Sequence, residues 1–236
     1  MVFAAAILAA GRGVRFGDRT LPKQFETIGA KPVFVYSVEL YRQLESVDSV
    51  VLVANPALLD ETREILERHG CADGVTVVPG GETRRVSIDN AIGWLDTNHV
   101  LSGDDRIILH NAASPNTRDS LVRRCIDVAK TADAVQACMP ETRTVFYAES
   151  DRVASVLRRD RHVISCDPTV YRFSVLREAL AHQQRSELPG EATTDIVHAL
   201  GYQIELVSSD ADNIKITTRG DLAALTDAMT RSGRAG

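Results

Sequence analysis

Cysteine is scarce. The four in this chain of 236 residues, Cys71, Cys125, Cys138 and Cys166, stand far apart and form no CxxC pair. That argues against a disulfide framework and a structural zinc site, and leaves the reduced thiols of a cytoplasmic protein as the expectation. Positive charge is not in excess either. There are 27 Lys and Arg against 32 Asp and Glu, a net charge of −5, with no basic run. Such a chain has no electrostatic footprint for a phosphate backbone, so nucleic acid is not expected as a partner. Long apolar runs are missing too. The N-terminal stretch from Val2 to Ala10 has no basic flank and ends in Gly11-Arg12-Gly13. It is too short to span a membrane and wrongly flanked for a signal peptide, and reads as a buried strand. Aromatic residues make up 5% of the chain, and Trp94 and the Tyr and Phe residues are scattered, more like core packing than a stacking platform.

What is present is ordinary globular material, 44% hydrophobic and 25% charged, enough apolar surface to offset the chain entropy of folding. Short β-rich runs alternate with helical patterns. Strands are expected at residues 2–9, 49–54, 75–78, 106–110, 134–138 and 203–208. Helices are expected at 33–44, 56–69, 84–95, 117–132, 174–184 and 194–200, and from Arg219 onward. Thr83 stands where it could cap the third helix. Alternation of this kind predicts an α/β sandwich of Rossmann-like type, with a mostly parallel sheet and helices on both faces. The rhythm breaks at about 140–167, where TRTVFYA and RVASVLRRDRHVI flank the acidic turn Glu149-Ser150-Asp151. This segment reads as a projecting β-hairpin arm, and a lone hairpin, marginal in water, is expected to pack on a partner subunit. One domain, residues 1–236, plus the arm is the expected organisation, with a loop at 185–191 and RSGRAG as a frayed tail.

In a doubly wound sheet, ligands bind beyond the carboxyl ends of the strands. The first such loop reads Leu8-Ala9-Ala10-Gly11-Arg12-Gly13-Val14-Arg15-Phe16-Gly17, followed by Leu21-Pro22-Lys23-Gln24. Small residues let backbone N–H groups approach a triphosphate, and Gly11 and Gly13 permit the sharp turns of an anion nest. Arg15 and Lys23 place two cations beside the same phosphates. The loop is not a Walker A motif, which needs Gly-Lys-Ser/Thr, and it lacks the third glycine of the dinucleotide fingerprint. His110 has no Cys or His partner at metal-ligand spacing and reads as a strand-end residue that orients the loop after it.

Three ordered motifs carry a family resemblance: AAGRGVRF with LPKQF, then GGETRRVSIDNA, then DNIKITTRGDL. From about Ala5 to Leu225 the chain resembles the cytidylyltransferases that act on polyol phosphates, the methylerythritol-phosphate and ribitol-phosphate enzymes. The resemblance implies an enzyme of the nucleotidyltransferase class that moves CMP from CTP to a polyol phosphate, with Mg²⁺ bridging CTP phosphates. It implies CTP contacts from Ala9, Ala10, Gly11 and Gly13 of the first loop, from Gly81, Glu82 and Ser87, and from Asn111. Arg15, Lys23 and Lys215 match the residues that stabilise the pentacoordinate transition state. Asn111, Ala112, Ser114, Thr144, Arg159 and Thr194 match acceptor-side positions. In the family the arm crosses a dimer, so a homodimer is implied in which Arg159, or a neighbour within 158–161, serves the other subunit's site.

The chain departs from the family on the acceptor side. The family pattern His-Asp-Ala-Ala/Val-Arg-Pro is here His110-Asn111-Ala112-Ala113-Ser114-Pro115, Asp-Thr is Arg143-Thr144, and Thr-Pro-Gln is Asp167-Pro168-Thr169. Asn111 lacks the anionic charge of aspartate, and Ser114 lacks a guanidinium fork of five donors. Glu82 keeps the carboxylate of a family aspartate on a longer stem. Three readings stay open: a changed acceptor, a methylerythritol-phosphate enzyme with a drifted loop, and a paralogue that binds CTP without turnover. The retained Arg15, Lys23 and Lys215 speak against the third. A sugar-1-phosphate nucleotidylyltransferase using UTP or GTP shares the Gly-rich loop and a lysine, but GGETRRVS and DNIKITT favour the cytidylyl branch.

Overall fold

In chain order the elements are β1 (Phe3–Ala9), β2 (Thr27–Ile28), β3 (Lys31–Pro32), α1 (Val33–Arg42), β4 (Ser49–Ala54), α2 (Leu59–Arg68), β5 (Val75–Pro79), α3 (Arg84–Thr97), β6 (Arg106–Asn111), α4 (Asp119–Ala129), β7 (Ala134–Pro140), β8 (Val145–Glu149), β9 (Arg152–Leu157), β10 (Val163–Arg172), α5 (Phe173–Arg185), α6 (Thr193–Ala199), β11 (Ile204–Ser208) and α7 (Arg219–Arg231). They are taken from a computed structural model that describes residues 1–11, 16, 22–185 and 192–235. Seven strands form one sheet in the order β11-β7-β10-β6-β1-β4-β5. All neighbours pair parallel except β10, which runs antiparallel to both β6 and β7.

Strand alternation distributes the core between two faces. Phe3, Ala5, Ile7 and Ala9 of β1 join Val50 and Leu52 of β4 under α1, α2 and α4. Ala4 and Ala6 join Val51 and Val53 under α3, α5 and α6. Alanines at the centre of β1 let helices on both faces come close, and each larger aliphatic side chain buried there contributes about 1.5–3 kcal/mol. A third cluster packs Leu225 and Met229 of α7 with Ile216 against Ile28, Val33 and Tyr36. The C-terminal segment is thereby held against the ribbon that follows the first loop.

The expected parallel α/β sandwich is present, and three expectations need correction. The helix expected at 117–132 is shorter, Asp119–Ala129. No strand was expected at Asp167–Arg172, yet these residues continue β10 as a central strand between β6 and β7. The signal is weak because Asp167 and Pro168 interrupt the apolar run, and Pro is rare in central strands. The pairing accommodates them with a bulge: from Ser165↔Cys138 to Thr169↔Gln136, β10 advances four residues while β7 advances two. Third, the tail is packed rather than frayed. Arg234 donates to the backbone and side chain of Asn116, and the Ala235 carbonyl lies so close to Gly29, at φ +59°, that a Cβ there would collide with it.

The arm is present as β8 paired antiparallel with β9, closed by a turn at Ser150 with φ +52°. Phe146, opposite Val156, is 52% exposed and Val156 64%. The loop expected at 185–191 lies, beyond its first residue, outside the described residues.

Candidate active site

The chain runs from β1 outward to β4 and β5, then returns to place β6 on the other side of β1. The loops after β1 and β6 therefore part in opposite directions, and the crevice between them is the ligand position of a doubly wound sheet. Three adjoining cavities open there. One of about 410 Å³ is lined by Ala10, Gly11, Asn55, Gly81, Glu82 and Ser87. The next, about 380 Å³, holds Lys23, Gln24, Lys215 and Asn111 together with Ala10, Gly11 and Ser87. The last, about 350 Å³, holds Asn111, Gln136, Asp167, Tyr171, Thr194 and Lys215. Asn111 and Lys215 belong to the middle and last cavities, and Arg84 to all three.

The glycines after β5 have a packing reason. Gly80 donates its N–H to the Ala54 carbonyl at 2.7 Å, and a Cβ at 80 would strike Ala10, while one at 81 would strike Val86. The Gly81 N–H donates to Ser87 Oγ at 3.1 Å, and Ser87 Oγ donates to the Thr83 carbonyl at 3.1 Å. Thr83 caps α3 as expected, its Oγ1 accepting from Val86 N at 3.2 Å. The N-terminus of a 14-residue helix thus faces the first cavity, with a dipole that favours anions.

Gln24 laces the first loop to its strand. Buried at 3% exposure, it donates from Nε2 to the carbonyls of Ala9 and Gly11. Lys23 donates to the Ile216 carbonyl, so the first loop and the C-terminal segment meet at the middle cavity. Asn213 fixes that segment from behind. Its Nδ2 donates to the Asp167 carbonyl at 2.6 Å and to Ser209 Oγ at 2.9 Å, and its Oδ1 accepts from Thr117 at 2.7 Å. Lys215, two residues on, is exposed and faces the cavities.

The β6 loop is organised by Asp167, placed by the β10 bulge and 6% exposed. Its Oδ1 accepts from Asn111 N at 3.0 Å and Asn111 Nδ2 at 2.8 Å, and its Oδ2 accepts from Asn111 Nδ2 at 3.0 Å and from Ser114 Oγ. The acid that position 111 lacks thus stands across the strand pair at 167. In the last cavity, Tyr171 OH and Thr194 Oγ1 lie 2.9 Å apart, and Gln136 Oε1 accepts from Thr169 at 3.1 Å and Thr194 at 3.3 Å. This part of the wall is rich in hydroxyl groups, and Arg84, Asp167 and Lys215 stand on the rest of the lining.

His110 lies behind the loop, fully buried, with Ser37 Oγ and Tyr41 OH each 3.1 Å from a ring nitrogen. Burial lowers its pKa and nearby Asp167 opposes the shift, so the ring is neutral at pH 7. Two thiols lie in this part of the molecule, Cys125 buried and Cys166 half-buried. Desolvation pushes Cys125 up to about 12 and Cys166 up to about 11, which makes both poor nucleophiles at neutral pH.

The structure gathers Ala10, Gly11, Lys23, Gly81, Glu82, Ser87, Asn111, Thr194 and Lys215 around one crevice. Ala9 stands behind it as a carbonyl acceptor for Gln24. Ala112 is 0% exposed and Ser114 1%, so their side chains act through the loop. Thr144 and Arg159 lie on exposed arm surface, away from this chain's own crevice. Gly13 and Arg15 lie outside the described residues. Sequence reasoning missed Arg84, Asp167 and Gln24. Arg84 had a signal, a basic residue opening a capped helix after Gly-Gly, whereas Asp167 was legible only as a departure from a pattern.

A family model described as IspD, 2-C-methyl-D-erythritol 4-phosphate cytidylyltransferase, matches residues 3–231. The chain belongs to the IspD family. It is accordingly a nucleotidyltransferase of the cytidylyltransferase type. A 2-C-methyl-D-erythritol 4-phosphate cytidylyltransferase of Cereibacter sphaeroides is 30% identical over 226 residues, covering 94% of this chain and 95% of that one. A ribitol-5-phosphate cytidylyltransferase of Lactiplantibacillus plantarum is 25% identical, covering 92% and 94%. Among solved structures, 4-diphosphocytidyl-2C-methyl-D-erythritol synthase from Anaerococcus prevotii has the same fold, with a TM-score of 0.82 at 20% identity over 98% of this chain and 99% of that one.

Proposed function

We propose that the chain transfers CMP from CTP to the phosphate of a small polyol phosphate, releasing pyrophosphate. The observation that carries this reading is the row of three joined cavities with Arg84 common to all and Lys215 common to two. The first suits a base held at Gly81, Glu82 and Ser87. The middle, with Lys23, Lys215 and Arg84, suits a triphosphate, and the last, with hydroxyl groups of Thr169, Tyr171 and Thr194 beside Arg84 and Lys215, suits a polyol phosphate. Among the described residues no carboxylate pairs with Arg84 or Lys215, so both charges are available to phosphate.

In the proposed reaction an anionic oxygen of the acceptor phosphate attacks the α-phosphorus of CTP in line. The bond from that phosphorus to the bridging oxygen of the β-phosphate breaks, and pyrophosphate leaves with the electron pair. No protein nucleophile is needed, because the acceptor phosphate is already an anion at neutral pH. Lys23, Lys215 and Arg84, with Arg15 from the first loop, hold the equatorial oxygens as charge develops. The donor set suits a hard cation held chiefly by the triphosphate. No group of three His, Cys, Asp or Glu side chains gathers among the described residues, and the Asp167 carboxylate is filled by its own donors. Mg²⁺ held in that way would supply charge neutralisation for the leaving pyrophosphate.

The arm supports a homodimer in which Thr144 and Arg159 approach the neighbour's acceptor, because its apolar face is left uncovered in one chain. Among the described residues no helix is long and apolar enough to cross a membrane, and we place the activity in the cytoplasm. The test is pyrophosphate release from CTP and Mg²⁺ with methylerythritol 4-phosphate, ribitol 5-phosphate and glycerol 3-phosphate, with UTP and GTP as controls. Turnover with CTP and one polyol phosphate is expected, and Lys23→Ala and Arg15→Ala each lower kcat by about 10²–10³. Silence across the panel, or unchanged kcat in both variants, rejects the reading.

A further inference from the structure

Asn111 sits where the phosphate cavity and the hydroxyl-lined cavity meet. Its amide has two unlike ends, one that only donates and one that only accepts. The donating end is committed, since Nδ2 lies 2.8 and 3.0 Å from the two oxygens of Asp167. A carboxylate cannot donate, so turning the amide over would set Oδ1 against two anionic oxygens. The orientation is therefore dictated by Asp167. Asp167 is itself locked. Each of its oxygens accepts two hydrogen bonds, Ser114 Oγ and the Asn111 backbone N–H completing the set, and Asn213 holds its carbonyl. The one group of this knot left open is Asn111 Oδ1, to which no described residue donates.

We propose that Asp167 is a positioning residue that turns the Asn111 amide so that Oδ1, a neutral oxygen, accepts a hydrogen bond from a hydroxyl of the acceptor, making Asn111 a specificity residue for the polyol. The inference rests on the reading of the crevice given above. Location favours the acceptor over the nucleotide as the donor. Asn111 shares its second cavity with Tyr171, Thr194 and Gln136, whereas the cavity assigned to the base does not include it. The phosphate of the same acceptor would lie against Arg84 and Lys215, which line both cavities that Asn111 lines. Asp167 also borders the last cavity, but both of its oxygens are taken up by donors of Asn111 and Ser114, so the open acceptor of this knot is the Asn111 oxygen.

The experiment compares wild type, Asp167→Asn and the exchange Asn111→Asp with Asp167→Asn, using whichever of methylerythritol 4-phosphate and ribitol 5-phosphate wild type turns over, and analogues of it lacking one hydroxyl. Asp167→Asn keeps an acceptor for Ser114 but lets the amide at 111 adopt either orientation. Its KM for the acceptor is expected to rise about tenfold, the worth of one hydrogen bond to a well-placed group. The CTP affinity by calorimetry and its Mg²⁺ dependence stay within about twofold, on the same scale of affinity differences. One of the deoxy analogues, poor for wild type, loses nothing further in the variant. The exchange restores a donor–acceptor pair in the reverse sense and returns an oxygen to the crevice, so it lowers the acceptor KM again. An unchanged acceptor KM in Asp167→Asn overturns the proposal. So does a loss shared equally by CTP binding, or a shift confined to the Mg²⁺ dependence. If Asp167→Asn does not fold, the exchange variant decides alone: a wild-type acceptor KM supports the proposal and a raised one rejects it. Silence of wild type with both acceptors instead removes the functional reading on which the proposal stands.

Discussion

Asn111 and Asp167 show how one residue can take its meaning from another 56 positions away. Taken alone, Asn111 is an aspartate position that has lost its charge. In the fold it is the neutral end of a pair whose charge stands at 167. This has a consequence for the obvious reverting substitution. Asn111→Asp alone would set two carboxylates where amide and carboxylate now lie 2.8 Å apart. Like charges at that spacing raise a pKa, because protonating one partner relieves the repulsion. The variant is therefore expected to be less stable than wild type at pH 7.5, by about 2–3 kcal/mol, with the deficit shrinking as pH falls toward 5. Thermal melts of both proteins across that range check the sign, and a deficit that grows toward low pH would contradict it.

At the scale of elements, the cavity proposed for the nucleotide is shaped by clearances between β1, β5 and the start of α3. Gly80 leaves no room for a Cβ against Ala10, and the Gly81 N–H is tied to Ser87 in the first turns of α3. Gly80→Ala should push the first loop away from α3. We expect it to weaken CTP binding about tenfold while the fold survives, since overpacking costs about 1–3 kcal/mol. Calorimetric titration of CTP reads the effect, and an affinity within twofold of wild type would mean that this contact does not shape the site. The other decisive element is β10. Its bulge carries Asp167 to the crevice and its first residues carry the arm. The strand was hard to see in the sequence because an Asp-Pro pair is what a turn is made of.

For the whole molecule, the arm is the feature on which the proposed homodimer rests. Phe146 and Val156 face each other across the hairpin and form a cross-strand apolar pair, more than half exposed. Light scattering at micromolar concentration is expected to give a dimer. Phe146→Glu with Val156→Glu is expected to give a monomer with activity lowered at least tenfold, on the scale of losing one charged contact to the acceptor phosphate from Arg159 of the neighbour. A wild-type monomer with full activity would remove the arm from the site.

The sequence by itself determined the alternating architecture, the two-faced sheet and most of the crevice. These follow from local signals: apolar runs of strand length, helix patterns, a Thr cap, and glycines next to strand ends. Ala10, Gly11, Lys23, Gly81, Ser87 and Lys215 were all legible because each lies in a short motif at the carboxyl end of a strand or in the DNIKITT string. Only the tertiary structure decided the direction and place of β10, the packing of the tail against Gly29, the reach of Arg84 into three cavities, and the partnership of Asp167 with Asn111 and Ser114. The physical reason is common to all four. Each depends on contacts between segments far apart in the chain, which no periodicity or spacing can encode, and on which face of a strand a bulge presents.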